Sequence, residues 1–412
     1  MQTLPTEQFR EDGAITADSA FQQTVLGRRP FDATIGSQTR RSGRLNVVLI
    51  CHFGRTGFNI LRSLRGINAK VHLVHDDRSA SLRFSRYCKV LHSTKDYATT
   101  DPDIVLDAIN DLHLRVGVDS VLASDVDALT FLALIKDRLL APVFPMADAD
   151  VLATLNDKWK FHQVCEAAGV DLPKTLFFET KAGLDPELIE RELGFPTIVK
   201  PVDSYGQRGI AIWKDKAQIS EWLQAAGDFN HQAMIVQEFI EGQDWALSVF
   251  AQDGVIKHWV SWVCPGQLDA GYGVGRFLAT EFRPRGDLLA MGQKIVAATR
   301  FSGVANFDAR FDERSGSMKM FECNPRFFNR MSAARLSGVD FVRPGLPIGG
   351  SQPTHLGDIS YYPWQELFSK RGIQRLMKSE WRLKPLMHDI YEMGSDPLPL
   401  IMRKWTNEDK RA

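Results

Sequence analysis

From Leu45 the chain reads LNVVLICHFGRTGFNILRSLRG and then AKVHLVHDD: an apolar run, a glycine turn, an amphipathic stretch and a second apolar run. Two strands joined through a helix run parallel, because the helix returns the chain to the edge it left, so this segment commits the fold to a parallel sheet. DSVLASD and APVFPMAD read as further short strands alternating with helices at about 103 to 115 and about 127 to 138, extending the α/β unit to about residue 150. Gly54 and Gly57 flank the first turn, and Asp76 and Asp77 follow about twenty residues later, where an NAD fold places its ribose-binding acid. HFGRTGF lacks one glycine of that fingerprint, so a tight strand-to-helix turn is the preferred reading over an NAD site.

At 412 residues the chain exceeds the about 250 to 300 at which one core stops growing, so further units are expected. Residues 1–44 lack periodicity and end on Arg40, Arg41 and Arg44, which reads as a loosely ordered extension. Its acids, Glu7, Glu11, Asp12, Asp18 and Asp32, argue against a mitochondrial transit segment. A second unit opens at NDKWKFHQVCEAAGV, with a helix start at Asn156 or Asp157 and a stop at Gly169. PTIVKP, a glycine turn, a strand in GIAIW, a helix at about 215 to 226 and the strand MIVQEFI follow. WALSVFAQDGVIKHWVSWV then reads as a hairpin turned at Asp253-Gly254. This unit is α+β, running over 151–349, and after it comes a C-terminal helical extension, 350–412, in which WQELFSKRGIQRLMKS puts Trp364, Leu367 and Ile373 on one face.

Fifty basic residues balance fifty acidic ones, so net charge points to no nucleic acid or anionic membrane partner. No apolar run approaches the about 20 residues that span a bilayer. Five cysteines, odd in number and never in a CxxC pair, read as reduced thiols, and a cytoplasmic location is expected.

The segment GVANFDARFDERSGSMKMFECNPRF carries the chemistry. Two alternating runs flank the turn signal DERSGS and predict a β-hairpin. Asp308 and Arg310 then share one face of the first strand, and Glu322 and Asn324 one face of the second. If pairing aligns them, three oxygen donors converge. Oxygen donors without histidine or cysteine suit a hard cation, and so few carboxylates leave room for the phosphate oxygens and water that magnesium prefers. Arg326 adds a cation for phosphate or carboxylate charge.

Over about residues 45 to 345 the order of these motifs resembles the ATP-grasp superfamily, in particular its carboxylate-amine ligases and carbamoyl-phosphate-synthase-like members. The resemblance implies a Rossmann-like N-terminal domain (45–150) that helps shape the substrate site, then a two-subdomain ATP-grasp fold with a lid at about 172–236 and a metal-bearing subdomain at about 237–349. Asp308, Glu322 and Asn324 match the pattern that holds two magnesium ions, with manganese an alternative, and Arg326 the arginine that meets the transferred phosphoryl group. Lys158 and Lys200 look like the lysines that reach the ATP phosphates, Lys200 also touching adenine. DSYGQRGI, with Tyr205, Gly206 and Gly209, resembles the glycine loop that closes over the phosphates, although it is less glycine-rich than in many relatives. Backbone groups of Glu238, Phe239 and Ile240 are implied at the adenine edge, and Asp244 at the ribose, where glutamate is commoner.

The resemblance further implies attack of a substrate carboxylate on ATP to give an acyl phosphate, then attack of an amine. Arg276 and Arg330 are the candidates to clamp the carboxylate, Arg being suited to bidentate recognition. Carboxylation, carbamoyl-phosphate-type chemistry or a kinase on the same ATP site, and a non-catalytic nucleotide-binding regulator, stay open at this point. A homodimer is implied only by the frequency of dimers among relatives.

Overall fold

The computed structural model describes residues 44–203, 209–225, 232–263, 280–336, 338–348, 359–361 and 383–406. The expected N-terminal extension up to residue 43 and the expected helix in WQELFSKRGIQRLMKS lie outside them.

The first unit is a parallel sheet of β1 (Asn46–Cys51), β2 (Lys70–His75), β3 (Cys88–Ser93) and β4 (Ser120–Ala123) in the order β3-β2-β1-β4. β1 and β2 are buried over five of their six residues, as continuous Val, Leu and Ile runs in a covered parallel sheet must be. The helices between them are α1 (Gly54–Gly66), α2 (Pro102–Val116) and α3 (Val126–Ile135), and α2 carries a boundary signal at each end. Asp101 caps it by accepting from Asp103 N–H, Pro102 opens it, and Gly117 ends it at φ 70°. The edge strand β3 was not legible because it is only half-buried and lacks a sustained apolar face. The strand expected in APVFPMAD is reduced to one bridge between Val121 and Val143, Pro142 and Pro145 having no N–H to extend a ladder.

Gly57 is set by packing. A Cβ there would lie 2.3 Å from Cys51 Sγ and 2.6 Å from Leu82 Cδ1, so α1 can close on β1 only without a side chain at this point.

The next two helices, α4 (Ala149–Asn156) and α5 (Lys158–Ala167), straddle the expected boundary, and Asp157 caps α5 through Trp159 and Lys160 N–H. A small antiparallel sheet follows, built of β5 (Thr175–Phe178), β6 (Thr197–Pro201), β7 (Ala211–Trp213) and β8 (Met234–Glu238) in the order β5-β8-β6-β7. With α6 (Pro186–Leu193) and α7 (Lys216–Gln224) it encloses a core of its own around Ile189, Val199, Trp213 and Ile219.

The third sheet holds β9 (Asp244–Gln252), β10 (Val255–Val263), β11 (Thr280–Phe282), β12 (Gly303–Asp312), β13 (Ser317–Asn324) and β14 (Ile359–Tyr361), ordered β13-β12-β9-β10-β11-β14. The β9–β10 turn takes φ 49° at Asp253 and φ 81° at Gly254, the double positive φ that lets an Asp-Gly pair follow strand twist. Residues 359–361 show that the C-terminal extension is not purely helical: β14 pairs with β11 at the sheet edge. Helices at Leu383–Ser395 and Leu398–Trp405 follow, and Asp396 ties them to the first unit by accepting from Ser85 Oγ at 2.5 Å and Arg86 N at 3.2 Å. One core runs from Val48 and Ile50 through Leu132 and Phe161 to Leu247, Phe307 and Met320, joining the parallel sheet to the six-stranded one. α8 (Gly286–Ala298) packs on the latter through Leu288 and Ile295, and α9 (Met331–Leu336) lies beside α1.

Candidate functional site

The β12–β13 hairpin forms as its alternation predicts, with Asp308 opposite Glu322 and Asn306 opposite Asn324. The register then slips between Asp308 and Ala309, leaving Phe321 as an extra residue in β13. This bulge turns Phe321 and Glu322, neighbours that would otherwise face opposite ways, into the same cleft. Asp308 accepts from Asn306 Nδ2 at 2.8 Å and from Asn324 Nδ2 at 3.1 Å, and Asn324 Oδ1 accepts from Arg326 Nη2 at 2.9 Å. The three expected oxygen donors and Arg326 therefore do meet.

Burial, then the charge of Glu322, pushes the Asp308 carboxyl up to about 8. Asp308 and Glu322, both half-buried, crowd like charge beside Arg326, a repulsion that a cation would relieve. Among the described residues no group of three or more His, Cys, Asp and Glu is placed to hold a metal. The donor set is thus two carboxylates and one amide, a set that fits magnesium completed by phosphate oxygens and water better than an all-protein cage.

Glu322 opens onto a cleft of about 390 Å³ between the hairpin and the small sheet, within the range of small-molecule sites. Ile198, Ile210 and Ile212 give it an apolar wall, and Lys200, Asp244 and Arg310 polar ones. Lys200 sits at the end of β6, buried, with Nζ donating to Gln237 Oε1 at 2.9 Å and lying 4.4 Å from the Phe321 ring centroid. Its pKa is lowered to about 8, mainly by burial, with Glu322 opposing the shift and Lys158 and Arg310 adding to it. Lys158 is buried at the first turn of α5, its N–H on Val202 O at 3.0 Å.

At the expected adenine turn, the N–H groups of Glu238 and Phe239 are already committed, to Lys174 O and Pro196 O, and the Glu238 carboxylate accepts from Lys174 N–H at 2.9 Å. Ile240 O accepts from Arg310 Nη1 at 3.0 Å. Asp244 is paired with Arg310 across the β9–β12 ladder, which fixes the shorter acid in place. Gly209 adopts φ 71°, a turn geometry glycine favours. Arg330 donates to Thr280 Oγ1 and stacks 5.0 Å from the Trp262 ring, whose Nε1–H donates to Ser248 Oγ at 3.2 Å, itself a donor to Asn306 Oδ1 at 2.8 Å. Tyr205, Gly206 and Arg276 lie outside the described residues.

Sequence reasoning missed Asn306, Gln237 and Phe321. Asn306 stands two before Asp308 and so shares its face, a signal present in the alternation; Phe321 reaches the cleft only through the bulge, which no local pattern announces. At the β1–α1 turn, Asp125 accepts from His52 N–H at 3.2 Å and Phe53 N–H at 2.8 Å, so the donors an NAD pyrophosphate would use are engaged by the protein's own carboxylate.

Residues 155–254 match the RimK-like ATP-grasp domain. Among curated proteins, the D-aspartate ligase of Enterococcus faecium is 25% identical over 216 residues, covering 49% of this chain and 51% of that protein. The chain thus spans about half the length of that relative. Among solved structures, the L-amino acid ligase from Bacillus licheniformis superposes with a TM-score of 0.54 at 16% identity, covering 74% of each chain. N5-carboxyaminoimidazole synthetase from Staphylococcus aureus, complexed with ADP, gives 0.58 at 14% identity, covering 80% of this chain and 86% of that one. At such identities the structures establish the fold alone.

Proposed function

For a chain that carries an ATP-grasp domain, we propose an ATP-dependent ligase that activates a substrate carboxylate as an acyl phosphate and joins it to an amine, releasing ADP and phosphate. The observation that carries this reading is the meeting of Asp308, Asn324 and Arg326 beside Glu322, which itself lines a cleft that also holds Lys200.

Adenine lies against Ile198, Ile210 and Ile212, with Ile240 as the amide donor of the turn, since Glu238 and Phe239 have spent theirs on the sheet. Asp244, steadied by Arg310, takes the ribose. Lys158 and Lys200 are assigned to the phosphates, and the expected glycine loop, whose Tyr205 and Gly206 lie outside the described residues, would cover them through backbone N–H groups. Two magnesium ions, or manganese in their place, would be held by Asp308, Glu322 and Asn324, supplying charge neutralisation of the phosphates when bound. Asn324 would meet them through Oδ1, the oxygen that here accepts from Arg326 Nη2.

The substrate carboxylate, positioned by Arg276 and Arg330, attacks the γ-phosphorus and ADP departs. The amine attacks the acyl carbon, the carbon–oxygen bond breaks, and phosphate leaves. The protein contributes positioning and charge, not a nucleophile. A cytoplasmic location and a homodimer belong to the same reading, the four described cysteines being free thiols. No described helix is long and apolar enough to cross a membrane.

The test incubates the protein with Mg-ATP and a panel of amino-acid carboxylates including D-aspartate, D-alanine and L-glutamate, with and without amines, reading ADP release and trapping acyl phosphate with hydroxylamine. Hydroxamate and amine-dependent amide are expected. A stable phosphorylated product would make it a kinase, bicarbonate-dependent ADP release a carboxylating enzyme, and no turnover a regulator.

A further inference from the structure

At the C-terminal edge of the parallel sheet, where ligands of open α/β folds gather, four side chains meet that the nucleotide site does not use. His52 follows β1, Asp76 follows β2, and Asp125 and Asp127 follow β4. His52 Nδ1 is hydrogen-bonded to Asp76, a fully buried carboxylate that also accepts from Arg78 N–H at 3.0 Å. Asp125 is spent on the backbone of the turn. The His52 side chain is only 10% exposed, yet its outer nitrogen, Nε2, makes no hydrogen bond among the described residues. Its nearest acid is Asp127, Oδ2 at 3.8 Å, on a side chain 60% exposed. A strand tie between β1 and β2 needs only Nδ1 and Asp76; it gives no reason for a nearly buried ring to keep its second nitrogen free beside a carboxylate.

This edge abuts the loop that follows Arg326. α1 begins two residues after His52, and its Thr56 and Asn59 donate to Asn329 Oδ1 and Asn329 O at 3.5 and 2.9 Å. Ala123, at the end of β4, shares a cavity wall with Arg326.

We propose that His52 and Asp127 receive the amine substrate: Nε2 accepts a proton from its ammonium group while Asp127 holds another of its N–H bonds. The proposal rests on the ligase reading and assigns the second substrate a place. Nδ1–H donated to Asp76 fixes the tautomer that leaves the Nε2 lone pair outward. The ammonium loses one proton to Nε2, its freed electron pair forms the carbon–nitrogen bond, and the carbon–oxygen bond to phosphate breaks with its pair on the leaving oxygen. The second proton leaves with that phosphate. Burial lowers the basicity of His52, but the bond to Asp76 and the charges of Asp76, Asp125 and Asp127 outweigh it, so the net shift is upward, as a proton acceptor for an ammonium requires. Arg78, the cation acting on Asp127, moderates that charge.

The test compares two nucleophiles on the carboxylate that gives the strongest hydroxamate in the panel. Hydroxylamine is unprotonated at neutral pH and needs no base; glycine and L-alanine arrive as ammonium ions. In His52→Gln the ratio of amide to hydroxamate is expected to fall about 10²-fold at neutral pH, the deficit shrinking as rising pH supplies free amine. Asp127→Asn, at an exposed position that tolerates change, is expected to raise the KM for glycine several-fold. Equal loss of amide and hydroxamate in His52→Gln, or an unchanged ratio and KM in the two variants, would overturn the assignment. Absence of hydroxamate from the wild-type protein would instead overturn the ligase reading beneath it.

Discussion

Lys200 holds a conflict between stability and chemistry. Its ammonium is buried against Gln237 and Phe321, and its pKa of about 8 lies below the ordinary 10.5. Between those values the unfolded chain binds more protons than the folded one, so stability rises with pH there; below pH 8 the folded state bears a cost of about 3 kcal/mol from this one group. Lys200→Met is therefore expected to stabilise the ligand-free protein at neutral pH by about 1 to 2 kcal/mol while abolishing stabilisation by Mg-ATP. Thermal melts with and without nucleotide check this, and a less stable ligand-free variant would contradict it. Glu322→Gln is expected to reduce ADP release about 10²- to 10³-fold without unfolding, as loss of a charge acting on the phosphates should; an unaffected rate would remove Glu322 from the site. At this scale the sequence made Asp308, Glu322 and Asn324 legible, since period-two alternation needs no knowledge of the rest of the chain. Phe321 was not, because a bulge is set by how two distant strands register.

Among the elements, the small sheet stands apart by having its own core. Trp213, buried against Trp222 at 5.4 Å between ring centroids, fills it. Trp213→Ala is expected to cost the small sheet about 3 to 5 kcal/mol and to weaken ATP binding, since Lys200 and Glu238 ride on that sheet. Hydrogen exchange should quicken over residues 175–238 and stay unchanged in β1 and β2; uniform acceleration would mean that the sheet is not an independent unit. Gly57 gives the opposite case, a position where one added carbon acts through packing: Gly57→Ala must shift Cys51 or Leu82 and is expected to lower stability by about 1 to 3 kcal/mol in denaturant unfolding. Most elements were legible from periodicity and caps, Asp157 and the stop at Gly169 among them. β3 and β14 were not, since an edge strand is sustained by its neighbour and need not carry an apolar face of its own.

In the whole molecule, a continuous core fixes the parallel sheet to the six-stranded one, while the nucleotide cleft opens where the separately cored small sheet meets the β12–β13 hairpin. In the proposed reaction this cleft takes ATP and the His52 edge takes the amine. The order of motifs along the chain made this architecture legible, whereas the substrate side was not: His52, Asp76 and Asp127 come from three separate strand ends, and only folding brings them together. The proposed reaction begins with attack of a carboxylate oxygen on ATP. It is tested most directly by running the reaction with the substrate carboxylate labelled with heavy oxygen and weighing the released phosphate. One labelled oxygen is expected in each phosphate, carried over from the acyl phosphate; phosphate free of label, with amide still formed, would rule out the acyl-phosphate route.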